Sequence, residues 1–373
     1  MAAPRKKIIA QGYSGRFVGT YVEDVRLMVE ASFITGLHSI AIGAPGHGKT
    51  EIVEDVMRTI LDSERNGRYI FQRFDPSTPP SAVKPKRKLV IDSNGKEALI
   101  DDPTGTVYQP GIRGAITDEL GRANSAVFDA ALDLFDRKDL PQGQQVIVAT
   151  ANFMPTSERQ AALIDRIAFW QWVTPGKVDV KKIGTAQLLH LGNQSFVECK
   201  IDLKTIDRLH GLTPNEETAE AISEYVGMVS VEAKKAGFEV NPRRIYQWSI
   251  ALYRYGAYVI GQEQFSGVPP KAAYILRWMM PTVTQSDYDK WQDVAKAFGD
   301  VVGSAITEAL EALEKKARVI SGEKAADGGA RIAIEIEACC TMLKERFPKD
   351  DRVKDAIKSA NAVFTKFSNG EYK

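Results

Sequence analysis

Eight consecutive residues hold the densest chemistry in this chain. Gly43-Ala44-Pro45-Gly46-His47-Gly48-Lys49-Thr50 fits the spacing G-x-x-x-x-G-K-[ST] without a gap. Each residue type has a physical reason at its place. Glycines let successive backbone N–H groups turn inward around phosphate oxygens, where a Cβ would intrude. A helix opening at Thr50 points its partial positive end at the same anion. Lys49 then reaches the β- and γ-phosphates of a nucleoside triphosphate, and the Thr50 hydroxyl is a ligand for Mg2+. Ala44, Pro45 and His47 fill variable positions, His47 as loop filler, and Glu51 closes the binding stretch.

A phosphate loop that cleaves its ligand needs acids on a neighbouring strand. Asp118-Glu119 follows Gly114-Ala115-Ile116-Thr117. An aspartate at a strand's C-terminal end can hold the Mg2+ shell, and the adjacent glutamate can orient and deprotonate the attacking water. Asp101-Asp102, beside a Pro-Thr-Gly loop, is the alternative pair. Asn152, after the apolar run Gln145 to Thr150, could hydrogen-bond the attacking water or the γ-phosphate.

Particular elements have to deliver these groups. Ser39 to Ile42 is a short apolar strand, and Thr50 to Leu61 is a helix with Ile52, Val53, Val56 and Ile60 on one face. A helix from Glu23 to Phe33, stopped by Gly36, precedes this strand–loop–helix unit. Strands at Tyr69 to Phe74, ending at Ile116-Thr117, and at Gln145 to Thr150 alternate with a helix from Asn124 to Phe135. Such alternation marks an α/β protein. Residues 77–110 read as an insertion, with apolar runs on either side of Asn94-Gly95 forming a hairpin. From Leu203 the pattern is helical: Glu217 to Ala236, Pro242 to Ile260, Ala272 to Thr282, Gly303 to Ile320, Gly329 to Arg346 and Asp351 to Phe367.

In order, these strings resemble the AAA+ ATPases, and within them the MoxR-like group related to magnesium- and cobalt-chelatase motor subunits. The residues carrying the likeness are Gly36 to Thr50, Asp118 to Ala123, Ala149 to Asn152 and Ala162 to Ile167, within about residues 22–262. The resemblance implies a P-loop NTPase αβα sandwich with a parallel sheet over residues 1–176. A helical lid (177–298) would follow; the amphipathic helical extension (299–373) is read from its periodicity and lies outside the resemblance. The resemblance also implies ATP and Mg2+ as ligands, with Asn152 as the sensor-1 residue. Arg166 would be an arginine finger reaching the γ-phosphate held by a neighbouring subunit, with Arg159 as the runner-up. Asn241-Pro242-Arg243 would be a sensor-2 motif whose helix aims Arg243 at the nucleotide. The insertion would face a pore or a substrate, with Lys84, Lys86, Arg87 and Lys88 available to an acidic partner.

The family further implies a ring homo-oligomer, a hexamer by expectation, that remodels a client protein, with a von Willebrand factor A domain protein as a possible partner. A nucleic-acid motor and a slow nucleotide-gated scaffold are the alternatives. The chain has 373 residues, 44% of them hydrophobic and 26% charged, enough apolar content to bury a core. Its net charge of +1 argues against a nucleic-acid binder. No apolar run approaches the roughly 20 residues a membrane span needs. Cys199, Cys339 and Cys340 have no metal-binding spacing, which fits a reducing cytoplasm.

Overall fold

A computed structural model describes residues 12–14, 20–63, 65, 67–83, 86–91, 96–102, 106, 109–136, 145–154, 158–174, 196–199, 201–299, 301–321, 325–346 and 352–371. The chain divides into two compact units, Met1–Ala295 and Lys296–Lys373.

The first unit is organised by a five-stranded sheet. Its elements run β1 (Gly12–Ser14), α1 (Thr20–Thr35), β2 (Ser39–Ile42), α2 (Lys49–Leu61), β3 (Tyr69–Arg73), β4 (Lys86–Ile91), β5 (Glu97–Asp102), β6 (Gly114–Asp118), α3 (Ser125–Asp136), β7 (Val146–Ala151), α4 (Glu158–Arg166) and β8 (Phe169–Trp172). The strands of this sheet lie in the order β3-β6-β7-β2-β8, all parallel. The connection from β2 to β3 runs toward one edge and that from β7 to β8 toward the other, so the loop after β2 opens at the switch point where α/β folds bind ligands.

Both faces of the sheet are covered. Ile40, Ile42, Ile147 and Ala149 meet Val127, Ala131 and Leu163 of α3 and α4 in one core. On β6, Ala115 joins that core while the adjacent Gly114 leaves room for Met57 and Leu61 of α2: a Cβ there would lie 2.5 Å from the Met57 methyl. This is the expected αβα sandwich, and its strands are continuous apolar runs because they are buried on both sides.

The insertion forms the expected hairpin, β4 against β5, with Leu89 opposite Leu99. The Asn94-Gly95 turn and Lys84 lie outside the described residues. Arg87 and Lys88 are exposed. Periodicity did not signal α4 or β8. The apolar run Ala168 to Val173 was the available sign of β8.

A short strand, β9 (Phe196–Glu198), pairs antiparallel with β1. Helices then follow: α5 (Leu203–His210), α6 (Glu216–Lys235), α7 (Pro242–Ile260), α8 (Pro270–Ala273) and α9 (Gln285–Gly299). Asp202, Asn215 and Asn241 cap the first three, each accepting a backbone N–H three residues on. The helix expected from Ala272 to Thr282 is not continuous. After α8 the chain tightens into a 3-10 stretch, Tyr274–Trp278, and then leaves helix altogether. Tertiary bonds explain the break. Trp278 Nε1 donates to Gln171 Oε1, and the Met279 carbonyl accepts from Trp248 Nε1, while Pro281 has no N–H to continue a ladder.

The second unit is a three-helix assembly of α10 (Val301–Ser321), α11 (Ala325–Arg346) and α12 (Arg352–Ser368). Leu313, Ala317, Ile332, Ile336, Ala360 and Val363 form its core.

Candidate active site

The phosphate loop is pre-shaped by its glycines. Gly46 and Gly48 have φ of 84° and 70°, a left-handed conformation that side chains with a Cβ rarely adopt. Gly43 is constrained by proximity instead, since a Cβ there would lie 2.5 Å from the Val173 carbonyl oxygen. Helix α2 starts directly after Gly48, so its unpaired first-turn N–H groups face the loop. Lys49 is buried and already aimed: its Nζ donates to the carbonyls of Gly43 (2.8 Å) and Ala44 (2.9 Å) and to Asn152 Oδ1 (3.1 Å). Burial lowers its pKa from the ordinary amine value, against the opposing fields of Glu119 and Asp118.

Asp118 ends β6 and is 1% exposed. Its Oδ1 accepts from the hydroxyls of Thr50 and Thr150, each at 2.6 Å, and its Oδ2 from Arg73 Nε at 2.7 Å. Burial opposes the carboxylate charge, but the bonds from Thr150, Thr50 and Arg73 outweigh it and hold the pKa below the ordinary range. Glu119 follows with φ of 58°, an uncommon value for a non-glycine residue that turns its side chain away from the strand. Asn152 Nδ2 donates to both Glu119 oxygens, at 3.0 and 2.9 Å. Gly121 allows this turn to press against Phe153, whose carbonyl oxygen would be 2.0 Å from any Cβ added there.

These groups surround a cavity of about 640 Å3 lined by Pro45, Gly46, Gly48, Lys49, Thr50, Glu51, Asp118, Glu119 and Asn152 among others. An electropositive loop, a lysine, a hydroxyl beside a buried carboxylate and a second carboxylate on an open wall can bind a polyphosphate and activate water against it. Residues 38–195 match the AAA domain family (dynein-related subfamily). That stretch is similar to an AAA domain, and the chain's activity is ATP hydrolysis. Among solved structures, a candidate ATPase from Cytophaga hutchinsonii is similar at 16% identity and a TM-score of 0.49, over 76% of this chain and 90% of that one. No curated protein matches the sequence.

The sequence-derived residues fall into two groups. Lys49, Thr50, Asp118, Glu119 and Asn152 converge on the cavity, with Glu51 on its rim. Gly43 and Ala44 contribute carbonyls to Lys49, and His47 is not among the lining residues. The alternative acids, Asp101 and Asp102, lie on the β5 hairpin strand and line no part of this cavity.

Arg166 and Arg243 lie elsewhere. Arg166 closes α4, just before β8, where Phe169 pairs with Ser39 at the start of β2, whereas the phosphate loop leaves the other end of β2. Three residue steps, about 10 Å, separate the two ends. Arg166 Nη2 binds Asp136 Oδ2 at 2.5 Å, and Arg243 approaches Asp136 (3.6 Å) and Asp165 (3.5 Å). The Asn241-Pro242 start thus sets Arg243 beside Arg166, away from the residues that line the phosphate cavity. Asn241 Nδ2 is tied to Asp165 Oδ1 at 2.8 Å, and this docks the start of α7 on the α4–β8 junction. The side chain of Arg159 lies outside the described residues.

Sequence reasoning missed Thr150, Arg73 and Asp136. Thr150 had a local signal, since a hydroxyl two residues before Asn152 on a buried strand needs a partner. The other two had none.

Proposed function

We propose that this chain is a ring-forming motor of the MoxR-like group, which hydrolyses ATP with Mg2+ to remodel or mature a partner protein. The observation that carries the reading is the pair Arg166 and Arg243, gathered at the opposite end of the sheet from the chain's own cradle. Within one chain neither arginine can neutralise the γ-phosphate. In a head-to-tail ring, the same cationic end would meet the next protomer's nucleotide, and a cation lent in this way is worth about 10³–10⁵ in rate.

The remaining roles follow from geometry. Backbone N–H groups around Gly46 and Gly48 hold the phosphates, and Lys49 bridges the outer two. Thr50 Oγ1 and Asp118, joined at 2.6 Å, are hard oxygen donors that fit Mg2+ with water and phosphate oxygens completing its shell. Bound there, the ion would supply charge neutralisation for the transferring group. Glu119 takes the proton of the attacking water, and Asn152 fixes the carboxylate's orientation. A hexamer, a client protein, a von Willebrand factor A domain partner and a reducing cytoplasm complete the reading. The thiols of Cys199, Cys339 and Cys340 are compatible with that compartment, and no described helix is long and apolar enough to cross a membrane.

Mixing two inactive variants tests the trans arrangement. Lys49→Ala and Arg166→Ala should each hydrolyse ATP at background rates alone and recover part of the wild-type rate when combined. Full turnover by Arg166→Ala at protein concentrations that saturate assembly would overturn it.

A further inference from the structure

Arg73 is the last residue of β3, and the strand register sets it directly beside Asp118. Its Nε donates to Asp118 Oδ2 at 2.7 Å, yet its side chain is 67% exposed while that of Asp118 is 2% exposed. The ion pair thus has one buried and one open partner, and the open one lines the phosphate cavity. Because the guanidinium is the solvent-facing partner, it can exchange this contact for a more highly charged anion, while the hydroxyls of Thr50 and Thr150 stay on Asp118. Two neighbouring cations are more committed. Lys49 is held by two carbonyls and Asn152, and Arg65 grips Glu54 with two bonds while stacking on Phe71 at 4.2 Å.

Strand order adds a measure of reach. Moving outward from β2, which carries the phosphate loop, Asn152 follows the next strand, Asp118 ends the second and Arg73 ends the third. Strands are spaced about 4.8 Å apart, so Arg73 lies beyond the acids on the side away from the loop. A phosphate chain anchored over β2 comes within its reach only at its far end. The guanidinium has further N–H donors on Nη1 and Nη2 besides Nε, in a planar fork suited to phosphate oxygens.

Building on the phosphate-site reading above, we propose that Arg73 is a nucleotide-discriminating residue that leaves Asp118 for the γ-phosphate when a triphosphate is bound. With a diphosphate it stays on Asp118. Arg73 would then report from within the chain whether the terminal phosphate is present.

Calorimetric titration of the full chain with a non-hydrolysable ATP analogue and with ADP, both with Mg2+, tests this directly. Arg73→Ala should weaken the analogue about tenfold or more, the loss of one charge-assisted hydrogen bond, and change ADP by less than about twofold. Arg73→Lys should restore part of the preference, because it keeps the charge and loses the fork. Equal weakening of both nucleotides, or of neither, would overturn the proposal. Lys49→Ala is the separate control: if it leaves both affinities intact, the phosphate-site reading itself fails, whatever Arg73 does.

Discussion

Asn152 donates its one amide group to both carboxylate oxygens of Glu119, at 3.0 and 2.9 Å, while its own carbonyl oxygen accepts from Lys49 at 3.1 Å. The side chain that follows β7 thereby links the phosphate-binding lysine to the acid that follows β6. The link is directional. An amide supplies a donor on one side and an acceptor on the other, which a carboxylate or a hydrocarbon of the same size cannot do.

Replacing Asn152 by Ala should therefore lower kcat by about 10²–10³-fold, the usual cost of removing one preorganised polar group near the reacting atoms. Nucleotide affinity should change much less, because the loop amides and Lys49 remain. Asn152→Asp should be at least as slow, since it sets a second negative charge against Glu119. Steady-state turnover together with nucleotide titration separates the two effects.

Gly121→Ala should damage both stability and rate. The added methyl would overlap the Phe153 carbonyl oxygen at 2.0 Å, which forces the Glu119–Arg122 turn or the end of β7 to move. Overpacking of this kind costs about 1–3 kcal/mol. The unfolding free energy from denaturant titration should fall by that amount, with turnover falling further because Glu119 and Asn152 lie on the two segments pushed apart.

Arg243 and Arg244, adjacent in sequence, should behave oppositely. Arg244 is 1% exposed, and its Nη1 donates to the Ile167 and Ala168 carbonyls at 3.2 and 3.4 Å; burial lowers its pKa to about 10 although Asp165 opposes the shift. Arg244→Ala leaves the two carbonyls without their buried donor, while Asp165 keeps Asn241 and Arg243, and should destabilise the first unit by about 1–3 kcal/mol. Arg243 is 40% exposed on its side chain, so Arg243→Ala should leave the unfolding midpoint nearly unchanged while lowering turnover of the assembled protein. Paired melting and activity measurements on both variants check this.

His210 should make the first unit sensitive to acid. It is largely buried at the end of α5, where its Nε2 donates to the Phe33 carbonyl at 2.8 Å. Burial first, then the charge of Arg254, pushes its pKa down to about 4; Arg113 adds to the effect and Asp207 opposes it. In the unfolded chain the imidazole takes up a proton below pH 6.5, and in the folded chain only near pH 4. Stability from this group is thus fully present above pH 6.5 and declines as pH falls toward 4, by roughly 3 kcal/mol at most. Urea midpoints measured across that window should fall less steeply in His210→Gln, which keeps an N–H donor and cannot be charged.

The cradle was legible because its determinants are local. Eight contiguous residues specify two left-handed glycines, a helix start and a lysine, and no distant contact is needed to recognise them. Periodicity likewise revealed β2, α2 and α7 to within a residue, since a strand buried on both faces and a half-buried helix each leave a repeating apolar mark. The 3-10 stretch at Tyr274–Trp278 shows where that mark misleads: apolar content predicted a helix, and side-chain bonds from Trp248 and Trp278 overrode it.

What the amino-acid order determined by itself was the phosphate chemistry and the acids that serve it. Only the tertiary structure decided what surrounds them. Parallel pairing of β3 with β6 brings Arg73 to Asp118 across 45 residues, and the docking of α7 on the α4–β8 junction turns Arg243 away from its own cradle and toward Asp136. Neither relationship leaves a trace in local spacing, because strand order and helix docking depend on burial summed over the whole unit, whereas a phosphate loop is written in its own backbone angles.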